Sequence, residues 1–299
     1  MTHNIDHYVA PLVEGLGKVL FWDPFAAMGM NLGAPVPFIV VWLIAGGLFF
    51  TLYLKFINIR GFKHGVQLAL GMDKRHAGQG NTSHFQAVAT ALSSTVGLGN
   101  IAGVAVAISL GGPGATFWII VAGLLGMSSK FAECTLGVKY RRIDENGVVS
   151  GGPMYYLKDG LKKRGLPRIG SFLSYVYALI IALSAFGIGN MFQSNQIHAQ
   201  LSTVFPILAP HGLWVGIGLA VLTALVILGG IKSIAAVCGR LFPFMAVLYV
   251  LMCLIIIAVN ITHLGDALLA IWNGAFSPEA AKGGFVGVLI MGFRRAVFS

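Results

Sequence analysis

Ser93, Ser94, Thr95 and Asn100 are interleaved with Gly97, Gly99 and Gly103 in the stretch SSTVGLGNIAG, residues 93–103. From residue 85 to residue 129 the chain has no Asp, Glu, Lys or Arg. Within 93–103, hydroxyls, one amide and the backbone itself therefore supply the polar chemistry. Carbonyl and hydroxyl oxygens suit a hard cation, and the N–H groups that open a helix suit a carboxylate. Nothing in the stretch can act as a general acid or base. Its G-x-G spacing is not a dinucleotide fingerprint, which needs a preceding strand and an acidic residue about 20 positions on. The first acidic residue after Gly103 is Glu133, and both flanks are long and apolar.

Two readings of the stretch stay open on physical grounds. Small residues four apart, such as Gly99 and Gly103, let two helices approach closely. Alternatively the helix is broken here: each glycine costs about 1 kcal/mol of helix propensity relative to Ala, and the hydroxyls and Asn100 can partner the freed backbone groups. Unpaired backbone is tolerated within a membrane only where it faces protein or lines a cavity. A second polar cluster, GNMFQSNQIHAQ at 189–200, places Asn190, Gln193, Gln196 and Gln200 at three- and four-residue steps, on one helical face, with Asn195 beside them. Amides can serve as interhelical glue, but five in one span suit a neutral, water-accessible pathway better.

The elements that must position these residues are membrane spans. The chain is 57% hydrophobic and 10% charged, far below the charge content of a soluble domain. A hydrocarbon core about 30 Å thick takes roughly 20 apolar residues as a helix. Six stretches qualify, near 36–57, 85–110, 116–138, 171–200, 213–231 and 241–260, and a seventh begins near 284. Pro35 and Pro37 open the first, and GGPGA at 111–115 turns the chain between the second and third. Of 20 basic residues, 16 fall in three regions on one side: the loop 55–75, the stretch 130–168, and Lys232 with Arg240 around the turn between the fifth and sixth spans. The positive-inside rule makes that side cytoplasmic and the N-terminal segment 1–35 external. The region 261–283 is then external too, and GDALLAIWNGAF at 265–276 is amphipathic, suiting either an interfacial helix or a loop helix packed on the bundle.

Other chemistries find little support. Cys134, Cys238 and Cys253 lie far apart and form neither a disulfide framework nor a metal set. His3 and His7 are one helical turn apart but sit in a polar N-terminus. No metalloprotease, Walker or triad motif occurs, so no enzyme is expected. The first 35 residues lack the pattern of a cleaved leader. Of ten acidic residues only Glu133 falls in a span, at its edge and one turn from Lys130, where an ion pair accounts for it. Proton-coupled carriers commonly relay through intramembrane carboxylates; this inventory suits Na⁺ better.

SSTVGLGNIAG (93–103), SGGPMYYL (150–157) and FRRAVFS (293–299) together resemble signatures of the alanine-or-glycine:cation symporter family, and the similarity runs through essentially the whole chain. More loosely, TVGLGN (95–100) is similar to the unwound first core helix of neurotransmitter:sodium symporters. The resemblance implies an all-α polytopic membrane protein with the leucine-transporter-type inverted-repeat fold. Span 36–57 would precede the repeats, 85–260 would be the first five-helix repeat, and 284–299 would start the second. It implies a prokaryotic inner-membrane carrier that moves alanine or glycine with Na⁺ by alternating access, and no organic cofactor. By match to the motif, backbone N–H groups from Gly97 to Gly99 would receive the substrate carboxylate, with Ser94 and Thr95 beside its amino group. Carbonyls of Ser93 and Val96, and the Asn100 side chain, would hold the cation, and Gln193 would face the break and bond the substrate. SGGPMYYL reads as a turn and helix start, outside the substrate site. Relatives of this family are longer, so the resemblance also implies a fragment that lacks its C-terminal half and is inactive alone. Two other classes compete with a carrier: a channel or pore subunit with the same neutral lining, and a scaffold that packs through small residues.

Overall fold

Capping and turn residues set the element boundaries of this largely helical chain. The computed structural model describes residues 15, 17–18, 22–29, 37–72, 82–186, 190–191 and 193–276. Asp23 caps α1 (Pro24–Ala27), accepting from the Phe25 and Ala26 amides. Extended Pro37 starts α2 (Phe38–Tyr53), and α3 (Ile57–Arg60) and α4 (Phe62–Ala69) follow. Ser83 and Gln86 close a reciprocal capping box at the start of α5 (His84–Thr95). Then come α6 (Leu98–Gly111), α7 (Ala115–Lys139), the short strands β1 (Arg142–Ile143) and β2 (Val149–Ser150), α8 (Pro153–Lys163) and α9 (Pro167–Phe186). The chain continues through α10 (Gln193–Val204), a 3-10 turn at Pro206–His211, α11 (Gly212–Ile227), α12 (Gly230–Val259) and α13 (Leu264–Phe276).

Among the described residues four helices are long and apolar enough to cross a membrane: Ala115–Lys139, Pro167–Ala185, Pro206–Ile227 and Gly230–Val259. The burial pattern agrees with an apolar surrounding. The buried apolar residues include Ala89, Ala107, Ala115, Ala235 and Ala275, while Leu225, Leu251 and Ile256 point outward. A soluble domain sorts its side chains the other way; small residues inside and large ones outside are how helices associate in lipid.

The described residues divide into two compact units. One gathers α1, α2, residues 99–130 and α13. There Val40 is fully buried among Phe25, Ile39, Val41 and Ile44. A β-carbon on Gly47 would stand 3.2 Å from Leu125 Cβ, and Asn58 donates to the Leu124 carbonyl at 3.0 Å. A β-carbon on Gly114 would overlap the Gly274 backbone, Trp118 Nε1 donates to the Ala275 carbonyl at 3.1 Å, and Phe117, Trp272 and Phe276 share ring contacts. The amphipathic run 265–276 is therefore a helix held against the GGPGA turn. The other unit gathers residues 59–98 and 131–259. In it α5 packs on α12, where a β-carbon on Gly239 would stand 3.3 Å from Gln86 Cγ, and α8 packs on α9.

Several expected boundaries move. The first span is α2, only 16 residues long. It ends in two successive left-handed residues, Lys55 (φ 53°) and Phe56 (φ 56°), a conformation uncommon outside glycine. The loop 55–75 contains α3 and α4. The last span starts at Gly230, not near 241, so Lys232 and Arg240 lie on α12 instead of in a turn. Their long stems can cover apolar surface while the charge reaches polar surroundings. The span expected at 171–200 is not one α-helix: α9 ends at Phe186, residues 190–191 wind as π-helix, and α10 starts at Gln193. The β1–β2 hairpin was not foreseen; Arg142 pairs with Ser150 and Ile143 with Val149. The seventh segment from 284, the FRRAVFS motif and the His3–His7 pair lie outside the described residues.

Candidate functional site

The stretch 93–103 is a broken helix. Val96 caps α5 in an extended conformation (φ −86°, ψ 99°), its amide donating to the Leu92 carbonyl at 2.7 Å, and α6 resumes at Leu98. The residue that leaves the helix is thus the β-branched Val96, whose side chain favours extended backbone, with Gly97 after it. Leaving the ladder frees carbonyls at the end of one helix and amides at the start of the next. Those ends carry opposite partial charge, negative at the end of α5 and positive at the start of α6.

The side chains reinforce the negative end. Ser94 Oγ donates to the Ala91 carbonyl at 2.8 Å, and Thr95 Oγ1 approaches the Ala91 and Leu92 carbonyls at 2.8 and 3.3 Å. With its proton committed inward, a hydroxyl offers the outside only lone pairs. Such oxygens accept from an ammonium group or coordinate a cation, and they repel a carboxylate. Ser93 Oγ lies 3.4 Å from Cys238 Sγ of α12, which ties the end of α5 to its neighbour. Residues 93–96 are exposed and Gly97 is half-buried.

Gln193 stands at the first position of α10 with its side chain toward the break. A β-carbon on Gly97 would lie 4.0 Å from Gln193 Nε2, an ordinary van der Waals distance. Gly97 is therefore small where an amide faces it, and no positive φ demands glycine there. Of the residues named from the sequence, the structure brings together Ser93, Ser94, Thr95, Val96, Gly97 and Gln193 in one unit. Gly99 and Asn100 lie in the first turn of α6, within the other unit.

The amide face divides. Gln193 and Gln196 are half-buried, whereas Asn190, Asn195 and Gln200 are exposed. Ser194 Oγ donates to the Asn190 carbonyl at 3.0 Å, and both residues line a groove of about 450 Å³ against Leu219, Thr223 and Ile227 of α11. Gln193, Gln196 and Gln200 keep their three- and four-residue spacing on α10, whereas Asn190 lies before it in the π turn, which takes more residues than an α turn. Face assignment at 3.6 residues per turn does not carry across residues 190–191. Sequence reasoning also missed Cys238 as a neighbour of Ser93, since no local signal joins positions 145 apart. The S-x-x-Q capping box at 83–86 was readable and marks the start of the broken helix. Among the described residues no group of three or more His, Cys, Asp or Glu converges on a common point.

Comparison with known proteins adds to this geometry. The profile described as the sodium:alanine symporter family matches residues 26–299. The sodium/alanine symporter AgcS of Methanococcus maripaludis is 45% identical over 264 residues, covering 88% of this chain and 57% of that protein. A probable sodium/glutamine symporter of Bacillus subtilis is 36% identical over 262 residues, 87% of this chain and 52% of the relative. A putative sodium/proton-dependent alanine carrier of the same organism is 36% identical over 262 residues, with 87% and 51% covered. The chain spans about half the length of the curated relatives it matches.

Proposed function

The chain belongs to the sodium:alanine symporter family, and from that premise we propose that it takes part in Na⁺-coupled uptake of a small neutral amino acid, alanine or glycine. The observation that carries the reading is the uncharged break at Val96–Gly97 with the Gln193 amide against it. A zwitterion needs a cationic and an anionic complement, and a broken helix supplies both without a charged side chain. The amides at residues 97–99 receive the carboxylate. The outward lone pairs of Ser94 and Thr95 accept from the ammonium group. Carbonyls of Ser93 and Val96, with Asn100, hold Na⁺, which enters as co-substrate, and Gln193 bonds the amino acid. Gly97 and Gln193 leave about a methyl group's width between them, which supports a small substrate. Relatives are named for alanine and for glutamine, so in this reading the residues beside the break set which side chain fits.

The same reading arranges the spans as a leucine-transporter-type fold. The broken pair α5–α6, α7, α9 with α10, α11 and α12 form the first five-helix repeat, and α2 precedes it. The basic loops face the cytoplasm of a prokaryotic cell and the N-terminus lies outside.

The test is equilibrium binding of labelled alanine to the purified chain, with NaCl replaced by choline chloride at equal ionic strength. Binding that rises with Na⁺ and falls in Gln193→Ala is expected. Alanine binding of equal strength in choline sinks the coupling and favours a pore, and no alanine binding at any Na⁺ concentration leaves a scaffold.

A further inference from the structure

We propose that the collar formed by the end of α7, the hairpin, α8 and the first turn of α9 is a binding site for anionic phospholipid headgroups, with Lys139 and Lys163 as its centre.

Depth comes first. α7 and α9 are both membrane-length helices, and α7 ends at Lys139 while α9 starts at Pro167. Between them α8 lies on α9. A β-carbon on buried Gly170, in the first turn of α9, would stand 2.8 Å from the Leu157 carbonyl and 3.0 Å from Leu161 Cβ. So α8 is held beside the end of a span, at the level where headgroups begin. Its Leu157–Leu161 side meets the protein, and Lys158, Lys162, Lys163 and Arg164 are exposed, as is Arg168 of α9.

Charge comes second. The carboxylates of the collar are otherwise engaged or remote from this face. Asp144 accepts from the Asn146 and Val148 amides inside the hairpin, at 3.0 and 2.7 Å. Asp159 is taken bidentately by Arg142, with the shortest contact 2.8 Å. Glu145 sits exposed at the hairpin tip. Lys139 and Lys163 instead converge on one aromatic ring, their Nζ atoms 5.8 and 5.2 Å from the Tyr140 centroid. Among the described residues neither lysine touches a carboxylate. Two ammonium groups held at one ring without a carboxylate leave their charge available to an anion. A tyrosine flanked by lysines at a span end is also the side-chain pattern of the headgroup layer. The occupant that matches depth, charge and apolar flank together is a phospholipid with a net negative headgroup.

The full chain in non-ionic detergent is titrated with phosphatidylglycerol and, separately, with phosphatidylcholine, and bound lipid per chain is counted by native mass spectrometry. Phosphatidylglycerol is expected to bind at least about tenfold tighter than phosphatidylcholine, and to weaken in high salt. The Lys139→Gln, Lys163→Gln pair should lose about thirtyfold of the phosphatidylglycerol affinity while its unfolding temperature without lipid matches the parent. Lys139→Arg, Lys163→Arg should restore binding. Equal affinity for the two lipids, undiminished binding in the Gln pair, or displacement of the lipid by millimolar inorganic phosphate would each overturn the proposal. The experiment reads no alanine or Na⁺, so its outcome is separate from that of the transport reading.

Discussion

At the break, Ser94 and Thr95 turn their protons onto carbonyls of their own helix and the surrounding 45 residues carry no charge. In the collar, Arg142 grips Asp159, cations lie over Tyr140 and Tyr155, and lysines crowd one helix. Both regions are polar interruptions of an apolar chain. The break answers the problem with backbone dipoles and hydroxyls, a polar set that needs no permanent counter-charge. The collar carries its ions on largely exposed side chains, where screening makes full charges cost little. Depth in the membrane decides which solution is used.

One substitution made in both regions breaks this comparison most sharply. Gly170→Ala drives a methyl into the Leu157 and Lys158 carbonyls, 2.8 and 3.1 Å away, and should cost about 1–3 kcal/mol as α8 is pushed off α9. Gly97→Ala meets only Gln193 Nε2 at 4.0 Å, so thermal unfolding should stay within about 0.5 kcal/mol of the parent while alanine binding falls. If both variants unfold alike, the break is a packing joint and not a site.

Removing the Gln193 amide is next in size. Gln193→Ala should weaken alanine binding about tenfold, near 1.4 kcal/mol, with the unfolding temperature unmoved; unchanged binding removes Gln193 from the site. Ser94→Ala should weaken alanine binding a few-fold at saturating Na⁺, since it removes an oxygen placed for the ammonium group while Thr95 Oγ1 still donates to the Ala91 carbonyl. In the collar, Arg142→Gln should cost only about 0.2–1 kcal/mol, because the Arg142 side chain is 56% exposed.

The smallest effect is a pH dependence. Burial first, and then the Glu133 carboxylate, hold the Tyr156 phenol above its ordinary value. The folded state therefore holds that proton more tightly than the unfolded chain. Its stabilisation is fully present below about pH 10 and is lost as the pH rises through the raised value. Tyr156→Phe should flatten unfolding temperature against pH above that point while leaving the neutral range unchanged.

Much of the broken helix was readable because its cause is local. Gly97 and Gly99 next to three hydroxylated residues in an uncharged run disfavour a continuous helix wherever they occur. The hairpin is local too, with Asn146–Gly147 at its turn and Gly147 at φ 75°, but its two-residue strands are too short to stand out as an alternating pattern. The π turn that sets Asn190 apart and the length of α12 were not readable. A π turn at 190–191 and the start of a helix at Gly230, eleven residues before the expected apolar run, depend on neighbours that satisfy or exclude particular backbone groups.

Composition and spacing alone determined that the chain is a helical membrane protein, that its second span carries a helix-weakening stretch near Gly97, and that this stretch is uncharged. These follow from short-range propensity and from the cost of charge in hydrocarbon, neither of which requires a partner element. Only the tertiary structure decided that Val96 is the residue that leaves the helix, that Gln193 faces Gly97, that Ser93 meets Cys238, and that Lys163 reaches the Tyr140 ring. Those are contacts between residues distant in the chain, set by how helices with small residues pack, and no local pattern encodes which side chains then come to face one another.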